Sequence, residues 1–281
     1  MKNVLLLGAG GMLGRSWQSL LRSRGFKLIL ATRADCDITD PSAVGRAVTR
    51  DCDIVVNCAA YSNVDGAETK RDRADATNAV AVGVLARRCL DIDALCVHYS
   101  TDYVFNGRGR APYSIEAPTD PINAYGAGKA AGETLLAESG CRHLLIRTSW
   151  LYAAWGENFV RTIAAIAREK PLIRVVNDQR GRPTSVVHLA SATLDLVESH
   201  MTGTWHVTDG GACSWYDLAR RVAGRVNERC RVEPCTSEQF PRPAPRPGYS
   251  VLDITKTQAV LGPMPHWTSN LDMVLDALND A

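Results

Sequence analysis

Tyr125 and Lys129 are a phenol and an amine four residues apart. On a helix that spacing puts both on one face, one turn apart. A nearby ammonium favours the phenolate, so the spacing predicts a tyrosine that exchanges a proton more readily than its ordinary pKa of ~10 allows. Such a pair is suited to general acid/base work. Alone it is weakly specific, and coincidence is the competing explanation. The pair needs a cofactor, a further polar group, and elements to hold them in place.

Those elements begin at the start of the chain. Residues 4–7 form a continuous apolar run, as expected of a parallel strand buried on both faces. The run enters Gly8-Ala9-Gly10-Gly11-Met12-Leu13-Gly14, and a helical pattern follows through Trp17, Leu20 and Leu21 to Gly25. Gly8, Gly11 and Gly14 read G-x-x-G-x-x-G, which lets the backbone turn tightly and approach a pyrophosphate at the helix N-terminus. Gly8, Gly11, Met12 and Leu13 are therefore candidate cofactor contacts; the alternative is a glycine-rich turn with no ligand.

The second strand, 26–31, ends in Thr32-Arg33 and lacks the acidic residue that binds the ribose hydroxyls of NAD. Arg33 could grip a 2′-phosphate bidentately, which favours NADP(H) over NAD(H). A solvated loop arginine is the plainer reading. Asp37 and Ile38 could flank the adenine. Asp40 and Pro41 then open a helix over 41–50 as N-cap and first residue.

Residues 53–60 form another buried strand, whose small Cys58, Ala59 and Ala60 would let a flat cofactor lie against the backbone. A helix around 78–82 leads to the strand 94–100, which runs into Thr101, Asp102 and Tyr103. Strand carboxyl ends are where ligands bind in doubly wound sheets. The helix of Tyr125 contains Gly126, Gly128 and Gly132, each costing ~1 kcal/mol relative to Ala. That cost predicts close packing against the cofactor or the sheet. The strand 144–147 leads to Trp150. Alternation of strands and helices to residue 150 implies right-handed crossovers and a parallel sheet.

Beyond 150 the alternation loosens. Helices are expected over 158–170 and 188–199, and one starting at Ser214 with Asp217 completing a capping box. Residues 174–176 and 204–207 are strand-like. The proline-rich stretch 240–247 can be neither helix nor central strand. It reads equally as a stiff connector or as a loop covering substrate.

Composition narrows the classes. The 281 residues suffice for one large α/β domain or two units sharing a core, and 46% hydrophobic with 22% charged residues is ordinary for a globular chain. A net charge of +2 leaves no footprint for a nucleic acid polymer. The opening Met1–Gly8 stretch is too short for a signal peptide and no 18-residue apolar run follows, so a cytoplasmic chain without a membrane segment is expected. Nine cysteines with no C-x-x-C pair suit reduced, buried thiols.

Several stretches, in order, resemble the extended short-chain dehydrogenase/reductase family. They are Gly8–Gly14, Asn57 to Asp65, Ser100 to Phe105, Asn123 to Lys129, and Arg147 to Trp150, followed by Asp178-Gln179, Ser214-Trp215-Tyr216 and Arg246-Pro247. The resemblance implies a Rossmann-type doubly wound α/β domain over 1–150 and a smaller C-terminal substrate domain over 151–281, with about 171–200 partly returning to the first. It also implies a catalytic trio. Thr101 would hydrogen-bond the substrate oxygen, Tyr125 would protonate it, and Lys129 would hold the nicotinamide ribose and lower the Tyr125 pKa. Trp150 resembles an aromatic residue that meets a sugar ring, and Asn63 and Tyr103 resemble pocket members.

The implied reaction is reduction of the C4 ketone of dTDP-4-dehydro-6-deoxy-L-mannose by NADPH. Another nucleotide-4-keto-6-deoxysugar reductase and a non-catalytic dinucleotide-binding regulatory subunit are the alternatives. Some bacterial members join two subunits through metal-bound carboxylates, but the matching positions here are Ser16 and Val187. No metal is expected, and a homodimer would need another interface.

Overall fold

Apolar runs in the N-terminal half become neighbouring strands of one sheet. The computed structural model describes residues 2–279; Met1, Asp280 and Ala281, which close the two expected domain ranges, lie outside the described residues. Among the described residues the main sheet has the strand order Gly203–His206, His143–Thr148, Leu95–Thr101, Ile54–Asn57, Asn3–Leu7, Lys27–Ala31. Every pairing in it is parallel. From Asn3–Leu7 the chain passes to Lys27–Ala31 on one side, then returns to Ile54–Asn57 on the other. That reversal creates a crevice at the strands' carboxyl ends, where doubly wound folds bind ligands.

Alternation along the strands feeds two cores. Val4 and Leu6 pack with Leu13, Trp17, Leu21 and Leu189 on one face. Leu5 and Leu7 pack with Val44, Leu85, Cys89 and Leu136 on the other. Ile54–Asn57 and Leu95–Thr101 are buried throughout. Lys27–Ala31 is an edge strand in which only Ala31 is buried.

Some local expectations are corrected. The helix expected over 41–50 ends at Ala47, although Asp40 does cap it by accepting from Ser42 N at 2.9 Å. The helix around 78–82 is part of a longer helical path, Arg71–Asp75 and Ala81–Asp91, joined by the π-helical stretch Ala76–Val80. Such widened turns leave a residue free for other bonds. Here buried Asn78 accepts from Tyr61 N and donates to Tyr61 O, both at 2.9 Å.

The glycines of the helix Ala124–Glu138 face neither sheet nor cofactor crevice. A Cβ on Gly126 would stand 2.1 Å from Tyr103 O, and one on Gly132 would stand 2.1 Å from Asn78 O. The helix thus lies directly against the turn after Leu95–Thr101 and against the π-helical stretch. That contact, impossible for any side chain, accounts for the glycines.

The segment 171–200 divides between the two parts of the molecule. Leu172–Val176 pairs with Arg231–Cys235, and its Ile173 and Val175 pack with Val160, Leu218, Val222 and Leu271. Val186–Glu198 instead packs on the sheet beside Met12–Ser23, and Gly203–His206 is the edge strand opposite Lys27–Ala31. The part lying against the sheet therefore runs past residue 200. Ser214 and Asp217 form both bonds of the capping box. All nine cysteines are free thiols. Among the described residues no helix is long and apolar enough to cross a membrane.

Candidate active site

Gly8 leaves its strand with φ +70°, and a Cβ there would stand 2.6 Å from Ala59 N. A Cβ on Gly14 would stand 2.4 Å from Gly8 O. The turn is therefore a bare-backbone cradle facing the small residues after Ile54–Asn57. Gly11 is the N-cap of the helix Met12–Ser23, with no side-chain cap and no acidic residue in the first turn. The first amide groups are thus uncapped by any side chain, as a pyrophosphate at a helix N-terminus requires. Leu13 is buried in the core, so only its backbone could serve a ligand. The Met12 carbonyl accepts from Trp155 Nε1 at 3.0 Å.

A cleft of about 170 Å³ continues from Gly8 past Arg33, Asp37, Ile38, Ala59 and Ala60, with Arg73 and Thr77 on its far wall. The predicted residues thus converge, but Arg33 is already engaged. Its Nε and Nη2 donate to Asp37 Oδ2 at 3.0 and 2.9 Å, while Asp37 Oδ1 accepts from Thr39. Arg73 is a second cation on this cleft that sequence reasoning missed, since nothing in its helical surroundings marks it. Cys58 is half-buried against the core, and Ala59 N donates to Asn57 Oδ1 at 3.0 Å, fixing the shelf.

Thr101 and Tyr125 lie near each other at the carboxyl end of Leu95–Thr101. Thr101 Oγ1 accepts from Tyr103 N at 3.2 Å and donates to Asp102 Oδ1 at 3.1 Å. Asn123 caps the helix of Tyr125 by accepting from Gly126 N at 2.7 Å. Lys129, one turn on, is buried beneath Tyr125. Its ammonium donates to the Tyr99 carbonyl and lies 3.4 Å from His98 Nε2.

The electrostatics differ from the expectation. Burial, reinforced by the charge of Asp102 and partly offset by the neighbouring Thr101 hydroxyl, pushes Tyr125 up to about 12. Lys129 does not counter this shift, because its ammonium is directed to the strand backbone. Burial draws Lys129 itself down to about 8, against the pull of Glu133. Tyr125 is therefore a firmly protonated donor at neutral pH. Asp102, which the sequence marks only as the middle of the strand-end run Thr101-Asp102-Tyr103, is the most perturbed carboxyl here. Burial pushes it up to about 7, and its Oδ2 has no partner. A polar triplet ending an apolar strand was its sequence signal.

The expected pocket residues have mixed placements. Tyr103 packs edge-on to Tyr125, ring centroids 6.1 Å apart. Asn63 spends its side-chain oxygen capping the helix Val64–Thr69, accepting from Gly66 N at 2.8 Å. Trp150, at φ +50°, lies flat on Trp215 with centroids 3.7 Å apart. Trp215 makes one face of Trp150 unavailable to a sugar. Ser16 is buried and Val187 exposed.

A parallel sheet with a switch point, an uncapped glycine turn and a threonine–tyrosine pair beside it define a class, the Rossmann-type α/β oxidoreductases. The RmlD substrate binding domain model matches residues 1–280. A dTDP-4-dehydrorhamnose reductase of Mycolicibacterium smegmatis is 39% identical over 99% of this chain and 86% of its own length. A dTDP-4-keto-6-deoxy-D-glucose reductase of Streptomyces niveus is also 39% identical, over 98% of this chain and 97% of its own. The crystal structure of a Bacillus anthracis dTDP-4-dehydrorhamnose reductase in complex with NADP superposes with a TM-score of 0.94 at 35% identity, covering 99% of this chain and 100% of that one. The chain belongs to the RmlD substrate binding domain family.

Proposed function

We propose that this chain reduces the C4 ketone of dTDP-4-dehydro-6-deoxy-L-mannose to dTDP-L-rhamnose with NADPH. The observation that carries the reading is the placing of Thr101 and Tyr125 together at a strand end, near the uncapped Met12–Ser23 helix. NADPH, when bound, supplies the hydride. Gly8, Gly11 and the first amides of Met12–Ser23 hold its pyrophosphate, and Arg33, Arg73, Asp37 and Ile38 surround its adenosine end. Lys129 serves the ribose nearest the reaction. Thr101 donates to the ketone oxygen, and protonated Tyr125 delivers its proton as negative charge builds there. Tyr103, Asn63 and Trp150 receive the sugar.

In this reading residues 1–150 form the dinucleotide-binding part and 151–281 the sugar-binding part, less the segment that packs on the sheet. The enzyme works in the cytoplasm, as a homodimer that uses no carboxylate-bound metal. The Streptomyces niveus relative favours a second reading, in which the same site reduces a dTDP-4-keto-6-deoxy-D-glucose.

Tyr125→Phe should lower kcat by about 10²–10⁴-fold, the usual worth of a positioned acid, while leaving NADPH binding unchanged. Parent-like turnover by that variant would overturn the mechanism. NMR of the product decides between the two sugars.

A further inference from the structure

The proline-rich segment 241–247 contains four prolines and so has few backbone donors with which to anchor itself. A single carboxylate does that work. Asp65 Oδ2 accepts from Arg242 Nη2 at 2.7 Å, while Oδ1 accepts from Ala244 N at 3.1 Å and from Arg246 Nη1. Arg246 Nη1 also donates to Ala244 O at 2.6 Å, stiffening the segment around the bond. The Arg246 hydrogen bond, more than any other contact, holds the Asp65 carboxyl down to about 2 against its partial burial. Only 14% of the Arg246 side chain and 20% of the Asp65 side chain are exposed, so this inner pair is largely shielded from solvent.

Further contacts tie the segment and the Asp65 helix to the reacting groups. Asn123, the N-cap of the Tyr125 helix, donates from Nδ2 to Pro245 O at 2.9 Å. On the next turn after Asp65, Glu68 Oε1 accepts from Ala124 N at 2.8 Å. The Arg246 guanidinium also lies near Tyr103, whose ring packs against Tyr125. One latch thus reaches the segment, the Tyr125 helix and a wall of the pocket.

We propose that Asp65 is a positioning residue that latches the segment 241–247 across the nucleotide-sugar end of the site and so sets the affinity for the nucleoside diphosphate. This rests on the nucleotide-sugar reading above. Asp65 acts through Arg246 and the segment, not by touching substrate.

The test is calorimetric binding of dTDP and of NADPH to the full chain, which needs no turnover, together with KM and kcat for the ketose. Asp65→Asn should weaken dTDP at least tenfold and raise the ketose KM in parallel, with NADPH affinity within twofold of the parent. Asp65→Glu should recover most of the lost dTDP affinity. Arg242→Gln loosens the latch from its half-exposed outer arm and covers the case in which Asp65→Asn does not fold; it should weaken dTDP several-fold. An Asp65→Asn variant, or failing that Arg242→Gln, that binds dTDP within twofold of the parent overturns the latch. So does one that loses dTDP and NADPH equally, since that marks a purely structural role. A parent protein that binds no dTDP overturns the substrate reading and the latch together.

Discussion

Asp102 offers a sharp test of the site's electrostatics. Its folded pKa rises from the usual 3.8 to about 7, with burial the largest cause. At ~1.4 kcal/mol per pH unit that difference corresponds to about 4 kcal/mol between the protonated and ionised forms. A carboxyl with a raised folded pKa contributes stability that is fully present below pH 3.8 and is lost as pH rises through 7. Asp102→Asn keeps the shape and an acceptor for Thr101 but cannot ionise. Between pH 5 and pH 9 the variant should therefore gain about 3 kcal/mol on the parent. With an unfolding entropy of ~2.1 cal/mol/K per residue, or about 0.6 kcal/mol/K for this chain, that is a relative rise in Tm of about 5 °C. Differential scanning fluorimetry of both proteins across that range measures it. A Tm difference that stays flat from pH 5 to pH 9 would refute the claim that Asp102 ionises at a cost to the fold.

Arg147 and Glu133 form a buried pair, with Nε and Nη2 donating to the carboxylate at 2.7–3.1 Å. Glu133→Gln leaves the guanidinium unbalanced, which typically costs about 3–5 kcal/mol, or roughly 5–8 °C in Tm by the same entropy; a change under 1 °C in a thermal melt would contradict the pair's isolation from water. At the adenosine end, Arg33→Ala and Arg73→Ala should each reduce the kcat/KM preference for NADPH over NADH about tenfold or more, the worth of a charge-assisted hydrogen bond. If neither variant moves the ratio, the 2′-phosphate is not held there.

The sequence by itself determined whatever a few neighbouring residues decide. The apolar runs, the Gly8–Gly14 turn, and the caps at Asp40 and Ser214 are local chemistry, and each stands where the pattern put it. Crossover geometry put the Thr101 strand end on the edge of the sheet where ligands bind, but its partnership with Tyr125 came only from the family resemblance. Tertiary structure alone decided the rest. Asp65 and Arg246 are 181 residues apart and Trp150 meets Trp215 beside the C-terminal core of Ile173, Leu218 and Leu271, so no local pattern could pair them. The glycines of the Tyr125 helix were visible, but what they press against was not.

Protonation behaviour was the least legible of all. Lys129 sits one turn from Tyr125 as its spacing requires, yet its ammonium is directed to Tyr99 O, and burial rather than the lysine governs the phenol. Desolvation depends on every atom that excludes water, and those atoms come from the whole chain. Spacing brought Tyr125 and Lys129 to one helix face; the packing around them set how tightly each holds its proton.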